Sequence, residues 1–209
     1  MKNRESHFPL IPAPQPLLII LSGLSGVGKD TVLAGLRKSG LPLEISVSAT
    51  TRPRRAGEKD GVDYHFVTPA KFQEMIDTNQ LLEWANVYGN LYGVPREPVR
   101  VALENGQDIL VKIDVQGATT IKKIAPRAVF IFLIPPHLEE LEDRLRQRRT
   151  ETPAELELRL KTARAELEKL PMFDYVVVNQ RDEIDGTIAL IKAIITAEKC
   201  RVEPREISV

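Results

Sequence analysis

Lys29 closes a glycine-rich run, Gly23-Leu24-Ser25-Gly26-Val27-Gly28-Lys29-Asp30-Thr31, that begins two residues after an apolar block at residues 17–21. A turn of this kind between a buried strand and a helix lets backbone N–H groups approach phosphate oxygens. The helix N-terminus adds positive potential, and the lysine reaches the terminal phosphates of a nucleotide. The usual residue after such a lysine is a serine or threonine that ligates Mg²⁺. Here it is Asp30, with Thr31 one position later. Two readings of Asp30 are open. It is a metal ligand, since magnesium is commonly held by a carboxylate together with phosphates and waters, or it pairs with a nearby cation.

Further along, residues 46–66 gather Arg52, Arg54, Arg55 and Tyr64 in a turn-rich stretch. Arginine forks suit a phosphate dianion and a tyrosine hydroxyl adds a donor, although charge alone equally fits a solvated basic loop. A third basic group, Arg144, Arg146, Arg148 and Arg149, follows a run of acids at 139–143. Arg144 and Arg148 are four apart and share a helical face.

The elements that must position these groups alternate between strand and helix. Residues 17–21, 108–113, 128–134 and 175–178 are short apolar runs of the type buried in parallel sheets. Between them lie helical patterns. Residues 152–170 carry Leu156, Leu160, Ala163, Leu167 and Leu170 on one face, with Thr152, Pro153 and Glu155 as a capping signature. A helix is also expected over 135–152, and Ile184, Ile188, Ile191 and Ile195 mark a last one. Such alternation predicts an α/β fold with a parallel sheet. The stretch 46–95 has more turns, aromatics and charges and reads as an insertion.

Composition narrows the function classes. The 209 residues suffice for one compact core, and 43% hydrophobic with 28% charged residues excludes bulk disorder. Lys+Arg and Asp+Glu both number 29, so the basic excess of a general nucleic-acid or membrane-surface binder is absent. The lone Cys200 excludes an intramolecular disulfide and fits a reducing compartment. His7, His65 and His137 are too dispersed for a local zinc motif. Prolines 9, 12, 14 and 16 break the N-terminal apolar run, so residues 1–16 read as a loose arm rather than a secretory signal. A cytoplasmic protein is expected.

The segment from Ser46 to Phe66 resembles the acceptor region of guanylate kinases, as do Leu81-Leu-Glu83-Trp84-Ala85 and Gly89-Asn-Leu-Tyr92-Gly93. Ile113-Asp114-Val-Gln-Gly117 and Arg148-Arg-Thr-Glu-Thr152 look like that family too, and the resemblance runs over roughly residues 17–200. It implies a P-loop nucleoside monophosphate kinase fold: a parallel sheet core (17–45, 96–135 and 171–209), a GMP-binding region (46–95) and a helical lid (136–170). The implied reaction is ATP + GMP → ADP + GDP with Mg²⁺, a step of purine nucleotide metabolism that recycles GMP. The implied partners are these small molecules, not nucleic acid or membrane, on a monomer or homodimer.

Residue by residue, the resemblance implies that Arg52, Arg55, Tyr64 and Tyr92 hold the GMP phosphate while Ser48 and Glu83 face the base. Asp114 serves the acceptor, Arg148 and Arg159 are the lid arginines, and Asn179 lies near the donor adenine. The role of Glu83 also follows from chemistry. Guanine presents two neighbouring donors, its ring N–H and exocyclic amine, to an acceptor-only carboxylate, where adenine would present an acceptor. The family often meets the guanine carbonyl with a serine or threonine after the Tyr-Gly pair, where this chain has Val94. It also usually carries an acid two residues before the aspartate of Asp-x-Gln-Gly, where this chain has Lys112. An acid gained at Asp30 and a cation gained at Lys112 suggest that the two compensate each other, the alternative being a Lys112 that turns aside and is solvated. Two alternatives remain. One is a ribose bisphosphate kinase, some of which share a Gly-Lys-Asp loop but are not expected to keep Ser48, Tyr64, Glu83 and Tyr92. The other is a silent guanylate-kinase-like binding module, which typically loses the phosphate loop.

Overall fold

The computed structural model describes residues 14–147 and 153–209. The chain opens with β1 (Leu18–Gly23), α1 (Lys29–Lys38) and β2 (Leu43–Ile45). Next come β3 (Ala49–Thr50), β4 (His65–Phe66), α2 (Pro69–Asp77), β5 (Leu81–Val87) and β6 (Asn90–Pro95). The chain continues through α3 (Arg96–Glu104), β7 (Asp108–Lys112), α4 (Val115–Ile124) and β8 (Val129–Ile134). Helices α5 (Leu138–Gln147) and α6 (Pro153–Leu167), a 3₁₀ turn at Leu170–Met172, β9 (Tyr175–Val178) and α7 (Ile184–Lys199) complete it.

Strands β2-β7-β1-β8-β9 form one sheet in that order, with every neighbouring pair parallel. Its central strand explains why the sequence there is apolar without alternation. Leu17, Ile19 and Leu21 enter one hydrophobic cluster with α1 and α7, while Leu18 and Ile20 enter another with α3 and α4. Both faces are covered, so both sets of side chains must be apolar. The second sheet, β4-β3-β6-β5, is built from residues 49–95 and mixes parallel and antiparallel pairs. Phe72 and Met75 of α2 pack on it with Ala49 and Leu81.

The four apolar runs become β1, β7, β8 and β9, and the isoleucine stripe becomes α7 with Ile188, Ile191 and Ile195 buried. In α6, Ala163 is buried and Leu160 and Leu167 pack against the core, while Pro153 is the first helical residue. Two helix boundaries need correction: α6 ends at Leu167, with Leu170 already in the 3₁₀ turn, and α5 starts late. The helix expected from residue 135 begins at Leu138. Pro136 disfavours helical backbone at Pro135, so the chain turns before it coils. Thr152 lies outside the described residues.

Parallel sheets offer their sites at the carboxyl ends of the strands. β1 ends in Gly23, which has φ +146° and lies against β8, where a Cβ would come 2.3 Å from the Leu133 carbonyl oxygen. Only glycine starts the phosphate loop at this point. In the same register Leu21 stands beside Lys112, the last residue of β7.

Candidate active site

A cleft of about 320 Å³ lies between the loop after β1, the ends of β5–β7 and helix α6. Among the sequence-predicted residues it is lined by Ser25, Gly26, Gly28, Lys29, Asp30, Ser48, Arg55, Tyr64, Glu83, Tyr92, Asp114 and Arg159. Groups up to 134 residues apart in sequence, from Ser25 to Arg159, therefore meet in one place.

On the loop side, the Lys29 ammonium donates to the carbonyl oxygens of Gly23 (2.7 Å) and Leu24 (3.2 Å). Burial lowers its pKa, opposed by the nearby carboxylates of Glu166, Asp30 and Asp114. The Ser25 N–H points outward to Glu166 Oε2 of α6 at 3.1 Å. Burial raises the Glu166 carboxyl, with Lys29 acting against it. Leu24 and Val27 are buried and support the loop from below, and Thr31 is exposed. Asn179 stands behind the loop rather than along the cleft wall. Its Nδ2 donates to the Val27 carbonyl at 2.7 Å and its Oδ1 accepts from Thr187 Oγ1 at 3.1 Å.

Asp30 and Lys112 meet as the charge swap predicts: Lys112 Nζ is 2.6 Å from Asp30 Oδ1. The same ammonium donates to the Tyr64 hydroxyl at 2.9 Å and lies 4.3 Å from the Tyr64 ring centroid. Burial would pull the lysine down, but Tyr64 and Asp30 outweigh it and its pKa lies above the ordinary lysine value. Asp30 thus has a cation partner, one of its two readings, and its carboxylate also lines the cleft.

The opposite wall carries the base-reading candidate. Glu83 sits on β5 where the pairing with β6 shifts between Leu81 and Glu83, and three consecutive residues, Leu81, Leu82 and Glu83, are buried there. An irregularity of this kind re-aims side chains that strict alternation would send to opposite faces. Glu83 is 5% exposed and its Oε2 has no hydrogen-bond partner. Burial, with a smaller push from Asp114, raises its carboxyl to about 8. Gly117 makes room for it, since a Cβ there would lie 2.7 Å from Glu83 Oε2. Asp114 caps α4, accepting from the Gly117 N–H at 2.8 Å, and its own carboxyl is raised by burial. Ser48 is buried in the same wall. Val94 is wholly buried in the cluster with Leu82 and Val99 and does not line the cleft.

The arginines divide. Arg55 lines the cleft. Arg52 stands beside it, ion-paired with Glu58 at 2.7 Å and 5.6 Å from the Tyr64 ring centroid, outside the cleft lining. Arg159 of α6 reaches across the cleft to the Tyr88 ring at 5.3 Å. Arg148 lies outside the described residues. Sequence reasoning missed several lining residues, among them Gln116, Thr162, Glu166 and Tyr88. Glu166 carried a usable signal, because Arg159, Thr162 and Glu166 are spaced three and four apart and share one helical face on the cleft. Tyr88, exposed in the β5–β6 turn, had no local signal. No group of three or more metal-binding side chains exists among the described residues.

The family model for guanylate kinase matches residues 15–198. The chain belongs to the guanylate kinase family. Guanylate kinase of Shouchella clausii is 48% identical over 187 residues, 90% of each chain. The rice protein "Guanylate kinase 2, chloroplastic/mitochondrial" is 43% identical over 98% of this chain and 72% of its own length. Among solved structures, guanylate kinase from Anaplasma phagocytophilum superposes with a TM-score of 0.75 at 34% identity, covering 91% of this chain and 89% of that one. The fold is thus the P-loop nucleoside monophosphate kinase fold, and the chain is an enzyme of that type. Among the described residues no helix is long and apolar enough to cross a membrane.

Proposed function

We propose that the chain transfers the γ-phosphoryl group of Mg·ATP to GMP, with the roles of individual residues set by the cleft. The observation that carries this reading is Glu83. A buried carboxyl with an unpartnered oxygen faces a phosphate-binding loop across one cleft. Guanine supplies two adjacent N–H donors to such a group, and adenine or uracil does not supply that pair. Tyr64, Tyr92 and Arg55 then receive the GMP phosphate, and Ser48 supports the base. The loop amides and Lys29 receive the donor phosphates, and Asn179 acts on the donor side by fixing the loop through Val27.

The Asp30 carboxylate and Thr31 hydroxyl, both oxygen donors beside Lys29, suit a hard dication that keeps phosphate oxygens and waters in its shell. No covalent enzyme intermediate is required. Aligning two phosphates and surrounding the transferred group with fixed positive charge supplies the catalysis. Lys29 and Arg159 are placed for this, Arg52 supports it from behind Tyr64, and Arg148 joins them by family resemblance. Residues 46–95 form the acceptor-binding region. Residues 136–170 act as the lid, which excludes water as a competing acceptor.

The direct test is ADP formation from Mg·ATP with GMP, AMP, UMP and ribose 1,5-bisphosphate as acceptors. GMP should exceed AMP in kcat/KM by roughly 10³-fold or more, because guanine alone offers two N–H donors to the carboxylate that its binding ionises. Turnover with the sugar bisphosphate alone would overturn the reading.

A further inference from the structure

Among the described residues, the cleft holds one cation that a phosphate loop, an acceptor cradle and a lid arginine do not call for. Lys112 ends β7 beside Leu21 of β1, so the sheet places its side chain under the phosphate loop and beside the acceptor wall. It is 10% exposed, whereas its partner Asp30 is 76% exposed. The lysine is therefore fixed by its surroundings, and Asp30 bends to it from the rim. Its ammonium spans two segments 34 residues apart in sequence, Asp30 at the start of α1 and the Tyr64 hydroxyl.

The direction of the second bond matters. An ammonium has only donors, so the Tyr64 oxygen must accept from Lys112. The hydroxyl's own proton is then free to go to another acceptor, and Tyr64 lines the cleft. A carboxylate at position 112 would do the reverse and take that proton. We infer that Lys112 is a positioning residue that joins the donor loop to the acceptor subsite and turns the Tyr64 hydroxyl proton toward the acceptor phosphate. This rests on the reading of the cleft as a GMP site. It predicts that a change on the donor side is felt by the acceptor, and only through Tyr64.

The competing explanation is a structural ion pair, which would be read in stability and not in acceptor affinity. Steady-state kinetics on the full chain separate the two. Lys112→Met should raise the KM for GMP about tenfold while kcat and the KM for Mg·ATP stay within about twofold, as expected when one oriented charge-assisted contact is lost. Lys112→Arg should restore the KM for GMP to within about threefold, because a guanidinium can donate to both partners. In a Tyr64→Phe background, Lys112→Met should add nothing, since residues acting as a unit are not additive.

If Lys112→Met lowers Tm below the assay temperature, Asp30→Asn takes its place, read as GMP binding without Mg²⁺ or ATP so that the metal role of Asp30 does not enter. Asp30→Asn should raise the Kd for GMP about threefold in the wild type and leave it unchanged in Tyr64→Phe. An unchanged KM for GMP in Lys112→Met, a loss confined to kcat, or multiplicative losses with Tyr64→Phe would each overturn the inference. Wild-type turnover of GMP is read in the same experiment, so failure of the functional reading is seen separately from failure of the Lys112 role.

Discussion

Glu83 shows what a single residue can contribute when its surroundings are arranged against it. With its carboxyl raised to about 8, it is mostly protonated at neutral pH before a nucleotide arrives. The two N–H donors of guanine favour the ionised form, so GMP binding at pH 7 should release close to one proton. Calorimetry in buffers of different ionisation enthalpy measures that release, and Glu83→Gln should abolish it. The same variant should lower kcat/KM for GMP by roughly 10²-fold or more, because the new amide N–H₂ meets a guanine donor. The raised pKa also fixes the sign of a stability effect. Between the ordinary glutamate value and about 8 the folded chain binds more protons than the unfolded one, so stability falls as pH rises through that range. Thermal unfolding from pH 6 to 9 without nucleotide should show a steeper decline in the wild type than in Glu83→Gln. Resemblance to guanylate kinases singled this residue out in the sequence, and guanine chemistry supports a carboxylate there. Its protonation was not legible, because that depends on Gly117 and Asp114 arriving from a different element.

At the scale of elements, α4 couples two requirements in one turn. Asp114 caps it, and Gly117 clears the space that Glu83 occupies. Gly117→Ala sets a gain in helix propensity of about 1 kcal/mol against a collision with a carboxylate. With the ideal Cβ 2.7 Å from Oε2 and 2.9 Å from Cδ, the side chain of Glu83 must retreat. The expected outcome is a KM for GMP raised about tenfold, with the KM for Mg·ATP unchanged and little change in Tm. Strands buried on both faces announced themselves as apolar runs, and α6 and α7 did so through their stripes, whereas α3 and α4 did not. The short strands β2, β3 and β4 did not, because two or three residues give no period to detect. β5 escaped for another reason: its shifted pairing breaks the alternation by which a strand is recognised. The premature start expected for α5 came from extending a helical pattern through two prolines.

Taken whole, the molecule is closed at one end by its own C-terminal segment. Glu198 of α7 is fully buried and held by Arg205 at 2.7 Å and by the Tyr175 hydroxyl at 2.6 Å, while Arg205 also donates to the Ala128 carbonyl. Arg205→Ala strands that carboxylate in the interior. It should cost about 2–3 kcal/mol, read as a fall in Tm of roughly 5–10 °C with the KM values for both substrates unchanged. At this scale the sequence indicated the cleft but not its closure. The two segments that meet at the phosphate loop, Ser25 and Glu166, are 141 residues apart, and no local pattern links them. That contact has a consequence for which anions the loop admits. Glu166 is a rival that dilution cannot remove, because a tethered group keeps an effective concentration of millimolar order. A free monovalent anion must compete with it for one amide and gains little by winning. A triphosphate engages several amides and Lys29 together, and exchanges one carboxylate contact for many. Phosphate-binding measurements should therefore show a triphosphate held far more tightly than a monovalent anion, with the gap narrowed in Glu166→Gln.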